Sequence, residues 1–393
     1  MSGKFFSNLT FCANEDILCI IKNEQTKRCF VLLNCDQAAA MRIDEDVLAF
    51  HSKVCRIAGT NQEALHQEAF EVRKALEAAG QELVLDLTGR NDFTVCFADS
   101  GTGVFHLLSA AGIVKQKRIL TSRLEHPALT AMLKRESDSL TFAPCDRYGK
   151  ILPVEGEFDF AAFTAVQSEL GTIQDIHQLF SGLPERCIRF VDAVQMAGKL
   201  PMEELALSAD LIAISGFKFG CPGSGALLVR TQTPWSAKFL EAVKKARHPE
   251  YTLPRVFPPA ALSCAYALHK RKELLAESLE NMHALNSFLR QELSCSSICF
   301  SVPEQESSPY ILHCRLPGKQ GAVVVRQLSE KGIMAGAGSA CNAESDSGSP
   351  VLRALGFSKK ESFSGLRLSF GFDFTRQEAE FLAENLLSVL KNY

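Results

Sequence analysis

At 393 residues the chain is too long for one ordinary domain, so two domains sharing a large core are expected. Its formal net charge of −3, from 42 lysines and arginines against 45 aspartates and glutamates, gives no electrostatic case for nucleic acid or an anionic membrane surface. No apolar run approaches the roughly 20 residues that span a bilayer, and Met1 to Asn14 lacks the basic start and apolar core of an export signal, so a cytoplasmic location is expected. The 14 cysteines are scattered through a long chain and are read as reduced thiols, mostly small buried hydrophobes. No C-x-x-C pair occurs, and Cys295 with Cys299 has no second pair at zinc-ligand spacing, so no metal site is expected.

In chain order, Asp16–Lys22 and Arg28–Leu33 predict two strands joined by a charged turn. Asn61–Glu77 carries Leu65, Phe70, Val72 and Leu76 among many charges, which predicts an amphipathic helix. Val95–Val104 reads as strand, small-residue turn and helix start around Gly101 and Thr102. Such a helix N-terminus offers unpaired N–H groups and its dipole to an anion, although an ordinary strand-to-helix turn has the same signature. Strands around Arg118–Thr121 and Ala161–Val166 alternate with helices from about Pro127 and near Ile176. This alternation predicts an α/β sheet whose ligand lies at the carboxyl ends of its strands, and His126 occupies one such end.

Two further strands carry chemistry. Arg189-Phe-Val-Asp192 is an apolar run ending in an acid, followed by Gln195. Asp192 by itself reads more often as a cap or turn residue. Leu211–Ile214 and Ala226–Val229 are short buried strands, and the glycines and proline between them, Gly220, Pro222, Gly223 and Gly225, force a turn. Lys218 therefore stands at a strand exit, where apolar surroundings favour the unprotonated amine of a Schiff-base lysine. A carboxylate such as Asp192 suits the ring nitrogen of pyridoxal phosphate, which it keeps protonated. From Ala260 the pattern changes to long helices, including Leu262–Arg290, then to strands at Tyr310–Leu316 and Leu366–Phe370 and a terminal helix over Glu378–Leu390.

These residues resemble the pyridoxal-phosphate cysteine desulfurases of the class V aminotransferase group, fold type I, over most of the chain. The most specific match is Gly336-Ala-Gly-Ser-Ala-Cys-Asn342 followed by Ser349–Gly356, which is similar to the family's nucleophile loop and the helix after it. Supporting matches are Glu125-His-Pro127, Glu169–Gln174, Asp192-Ala-Val-Gln195, Ser215-Gly-Phe-Lys218 and Leu366-Arg-Leu-Ser369, in the family's order. Asn34–Ala40 weakly resembles the family's entry motif.

The resemblance implies an α/β fold with a mixed, mostly parallel sheet in a large pyridoxal-phosphate domain (41–262) and a smaller α+β C-terminal domain (263–393) carrying the nucleophile loop. An N-terminal segment (1–40) is expected to pack with the small domain. It implies Lys218 as cofactor lysine, Asp192 and Gln195 as cofactor ligands, His126 stacked on the ring and moving protons, and Gly101, Thr102 and Ser215 at the phosphate. Arg367 would take the substrate carboxylate. Cys341 would be the thiol that receives sulfur from L-cysteine and passes it to an acceptor protein, with alanine as the other product.

Three positions depart from the pattern. Phe217 stands where histidine is usual, Ser168 where asparagine is usual near cofactor and substrate, and Arg255 where a threonine crosses a homodimer interface to the partner's phosphate. Two other activities fit the same motifs. One is a selenocysteine lyase or β-eliminating lyase in which Cys341 is incidental, and the other is a non-catalytic paralogue acting as a partner in sulfur-transfer assemblies.

Overall fold

A computed structural model describes residues 33–247, 253–295, 297–338 and 348–393. The expected hairpin ahead of Leu33 and the thiol Cys341 lie outside these residues. In chain order the elements are β1 (Leu33–Asn34), α1 (Glu45–Ile57), α2 (Gln67–Thr88), β2 (Phe93–Ala98), α3 (Gly101–Ala110), β3 (Ile119–Ser122), α4 (Pro127–Glu136), β4 (Leu140–Ala143) and β5 (Phe160–Thr164). There follow α5 (Ile176–Ser181), β6 (Ile188–Asp192), α6 (Glu203–Ser208), β7 (Leu211–Ser215), β8 (Gly225–Arg230), α7 (Ser236–Ala246) and α8 (Pro258–Glu292). The last third adds β9 (Cys299–Phe300), β10 (Ile311–Arg315), α9 (Gly321–Glu330), β11 (Ile333–Met334), α10 (Pro350–Ala354), β12 (Gly365–Ser369) and α11 (Arg376–Lys391).

The main sheet has seven strands in the order β2-β8-β7-β6-β5-β3-β4. Its pairs from β7 to β4 are parallel, and β8 runs antiparallel to both β2 and β7. The α/β sheet expected from the alternation, mixed and mostly parallel as the resemblance implies, is therefore present. Its central strands are apolar throughout because both faces are covered. Val191, Ile212 and Leu228 join one core with residues of α2 and α8, while Phe190, Leu211 and Leu227 join the other with residues of α3, α4 and α7. Successive residues thus enter opposite cores, as period-two side chains must.

A three-stranded antiparallel sheet, β12-β10-β9, packs with α9, α11 and the C-terminal half of α8 around Leu312, Leu366 and Leu386. The first described residues join it. β1 pairs with β11 in parallel, Leu33 opposite Ile333, and Asp36 bridges to Ser369. The expected boundary at Leu262 and Ser263 falls inside α8, which gives Ala261, Cys264 and Leu268 to one core and Met282, Leu285 and Leu289 to another. Among the described residues no helix is long and apolar enough to cross a membrane.

One helix differs from expectation. Asn61–His66 is not helical, because the Asn61 side chain accepts from the Glu63 N–H in a local turn, and His66 caps the helix by accepting from Ala69 N–H at 3.2 Å. The helix then runs well beyond Glu77 and ends at Gly89, whose φ of 64° suits glycine.

Candidate active site

The carboxyl ends of β3, β6 and β7 open on a cavity of about 430 Å³ that is also lined by the start of α3 and by Ala38–Ala40. Lys218 lies in a single 3₁₀ turn directly after β7, half-buried, and its Nζ donates to the carbonyl of Ala39. Asp192 is the last residue of β6, next to β7 in the sheet, with 6% exposure. Its Oδ1 accepts from the Val194 N–H at 3.1 Å. Burial raises its carboxyl to about 6 against the opposing effects of that N–H and of the Lys218 charge.

His126 follows β3 and is the N-cap of α4, where its Nδ1 accepts from the Ala128 N–H at 3.2 Å. That bond assigns the proton of the neutral ring to Nε2. Burial, then the Lys218 charge, lowers its pKa, so the neutral ring predominates near neutral pH. Beside it Glu125 is buried, with Oε1 accepting from Ser122 Oγ at 2.6 Å. Burial foremost, and the charge of Asp192, lift its carboxyl well above the usual range. Of two acids at this end of the sheet, Asp192 is thus the one set to be ionised.

At the start of α3, Ser100 caps the helix by accepting from the Gly103 N–H at 3.0 Å. A Cβ on Gly101 would lie 3.0 Å from the Cβ of Ser215, and one on Gly225 would lie 2.2 Å from the Ser100 carbonyl oxygen. The helix end is therefore seated on the exits of β7 and β8 through glycine contacts that a side chain would obstruct. Gly101 and Thr102, the first residues of α3, line the cavity, and a helix start leaves such N–H groups available to an anion.

Arg367 comes from β12 and is 2% exposed. Its Nη2 donates to Asp36 at 2.6 Å and its Nη1 to the Ser168 carbonyl at 2.9 Å, while its Nε finds no acceptor among the described residues. Gln195, 4% exposed, donates from Nε2 to the Ala38 carbonyl at 2.9 Å. The segment after β1 is thereby tied to the pocket from three directions, since Lys218 also holds Ala39.

Of the residues singled out in the sequence, Lys218, Asp192, Gln195, His126, Gly101, Thr102, Ser215, Ser168 and Arg367 all line this cavity. Phe217, at one departure from the family pattern, lines it too and is 43% exposed. Arg255 does not line it. It is half-exposed and pairs with Glu63 at 3.5 Å. Sequence reasoning gave no role to Glu125, although it was quoted within a matching motif, and overlooked Lys199, whose Nζ donates to Gln195 Oε1 at 3.1 Å. Lysine followed by Leu-Pro resembles a surface turn, and no local signal marks it as buried.

The arrangement fits pyridoxal phosphate. A buried carboxylate raised by desolvation gains from a cationic ring nitrogen, a helix N-terminus faces the cavity for an anion, and a lysine amine stands between them. The unmatched Nε of a buried arginine offers a further place for a carboxylate.

The family profile described as Aminotransferase class-V matches residues 33–382. The "Putative cysteine desulfurase NifS" of Bacillus subtilis (strain 168) is 26% identical over 88% of this chain and 91% of its own. The "Cysteine desulfurase IscS" of Escherichia coli O9:H4 (strain HS) is 28% identical over 81% of this chain and 82% of its own. A solved structure described as "NIFS-LIKE PROTEIN" superposes with a TM-score of 0.78 at 22% identity, covering 92% of this chain and 100% of that one. The shared fold is that of the fold type I pyridoxal-phosphate enzymes.

Proposed function

The chain belongs to the class-V aminotransferase family, and from that premise we propose that it is a pyridoxal-phosphate-dependent cysteine desulfurase, taking sulfur from L-cysteine and releasing L-alanine. The observation that carries this reading is the convergence of Lys218, Asp192 and Arg367 on one cavity. When bound, the cofactor supplies an electron sink that makes the substrate Cα–H acidic. Asp192 holds the ring nitrogen protonated, Gln195 and His126 orient the ring, and Gly101, Thr102 and Ser215 hold the phosphate. Lys218 would anchor the cofactor, and its amine would move the proton at the substrate α-carbon. Arg367 holds the substrate carboxylate through its free Nε–H, and Ser168 stands beside it.

Sulfur transfer falls to Cys341. Its thiolate attacks the substrate sulfur, an S–S bond forms as the Cβ–S bond breaks, and proton return gives alanine and a Cys341 persulfide. Cysteine plus protein thiol becomes alanine plus protein persulfide, with no external oxidant. The persulfide then passes to an acceptor protein.

The same reading makes the enzyme a cytoplasmic homodimer of two 43.1 kDa chains, with large and small domains sharing α8 and with Arg255 acting at the partner's phosphate. Light scattering on cofactor-loaded protein checks the dimer, and a fully active monomer rules out the role given to Arg255. Incubation of the purified, reconstituted protein with L-cysteine tests the activity. Alanine with protein-bound sulfane sulfur is expected, whereas pyruvate with free sulfide would make it a β-eliminating lyase.

A further inference from the structure

Lys199 is a buried cation that the reading above does not use. The chain turns at Gly198 with φ of 72°, where a Cβ would lie 3.3 Å from that of Phe219 and 3.4 Å from that of Arg271. The backbone is thus pressed against α8 and the lysine that follows is only 1% exposed. Its Nζ donates to Gln195 Oε1 at 3.1 Å, Gln195 Nε2 donates to the Ala38 carbonyl at 2.9 Å, and the next carbonyl, Ala39, accepts from Lys218. The two lysines therefore bracket one short stretch of chain on the cavity wall.

The charged groups facing Lys199 are Lys218 after β7, Arg271 on α8 and Arg367 on β12, all cationic. Each arginine has its own carboxylate, Asp44 for Arg271 and Asp36 for Arg367. Among the described residues none pairs with Lys199. Burial first, and these cations second, bring its amine down to about 7. A methionine would fill the same volume without the desolvation penalty, so packing alone gives no reason for an amine here.

We propose that Lys199 is a positioning residue for the cofactor pocket: it fixes the amide of Gln195 with the oxygen turned inward and the NH₂ edge toward Ala38 and the cavity. Two independent bonds agree on this orientation, since an ammonium can only donate and a carbonyl can only accept. Without Lys199 the Gln195 oxygen would be buried and unpaired, and the amide would rotate away from Ala38.

This inference rests on the cavity being a pyridoxal-phosphate site, and the test separates the two. The dissociation constant for pyridoxal phosphate is measured by absorbance for wild type, Lys199→Met, Gln195→Ala and the double variant. Each single change is expected to weaken binding roughly tenfold, and the double variant to be no more than about twofold weaker than either, because both remove one contact. An additive loss of about a hundredfold, or unchanged affinity in Lys199→Met, overturns the proposal. A wild type that takes up no cofactor fails the functional reading instead.

A conservative variant gives a second readout: Lys199→Gln, which keeps a donor for the Gln195 oxygen, should retain most of the affinity. Thermal melting of the cofactor-free variants monitors folding. Should Lys199→Met fail to fold, Lys199→Gln decides alone: an affinity as low as that of Gln195→Ala overturns the proposal.

Discussion

The cavity has two walls of different origin. One consists of the strand ends and helix starts of the main sheet, with Lys218, Asp192, His126 and the start of α3. The other is assembled from distant pieces: Ala38–Ala40 from the segment after β1, Ser168 from the middle, and Arg367 from β12, where Arg367 is held by Asp36 across a separation of 331 residues. The first wall carries groups suited to hold a cofactor and move protons, and the second carries the cation suited to a substrate carboxylate. Under the proposed function, cofactor chemistry would stand on the sheet, and substrate recognition on contacts between segments far apart in sequence.

Removing the centre of the first wall has the largest expected effect. Lys218→Ala should lower alanine formation from L-cysteine by about 10⁴-fold or more, since the proton-moving group and the cofactor anchor are lost together. Borohydride reduction of the loaded wild type should leave the cofactor on Lys218. A label on Lys199, the neighbouring buried amine, would move the chemistry to the other side of Gln195.

Next in size is Cys341→Ser, which should leave the sheet-side wall untouched. The cofactor spectrum and binding of L-cysteine should persist, while alanine formation falls by about 10³-fold, because a hydroxyl at neutral pH is a far weaker nucleophile than a thiolate. Wild-type turnover in this variant would mean that elimination proceeds without a protein thiol.

The same contrast explains what the sequence disclosed. Lys218 and Asp192 are legible because Asp192 ends one short apolar strand and Lys218 stands just beyond another, a local pattern in which burial and a strand exit are both visible. His126 reads as a strand-end residue for the same reason, and its capping of α4 follows from the proline after it. The pairing of Arg367 with Asp36 was not legible, since nothing within a few residues of either marks the other. Lys199 escaped because its burial is caused by a turn at Gly198 against α8, a helix far along the chain. The long reach of α2 was missed because charged residues within it obscure the apolar face that packs on β2 and α8.

On the second wall the expected effect is smaller. Arg367→Lys keeps the charge but loses the planar fork, so kcat/KM for L-cysteine should fall roughly 10- to 100-fold, mostly through KM. Asp36→Asn, which loosens Arg367 without removing it, should cost only about threefold to tenfold. A larger loss of kcat than of KM in either variant would place Arg367 with the proton-moving groups of the first wall.

The smallest expected effect concerns stability and sharpens the reading of Asp192. Burial raises its carboxyl from 3.8 to about 6 in the cofactor-free protein. Between those values the folded state holds more protons than the unfolded one, so stability falls as pH rises through this window, and the full penalty of a buried carboxylate is present above about 6. Asp192→Asn removes that titration. The cofactor-free variant should therefore melt a few degrees above wild type at pH 7 to 8, and close to it near pH 4. Saturating pyridoxal phosphate should reverse the order at neutral pH, because a cationic ring nitrogen favours the ionised carboxylate and an amide cannot repay it. Differential scanning of both proteins, with and without cofactor, measures all four cases. Equal melting of the two cofactor-free proteins across the range would mean that Asp192 is solvated despite its place at the end of β6. A cofactor-induced gain as large in the variant as in wild type would remove Asp192 from the ring nitrogen.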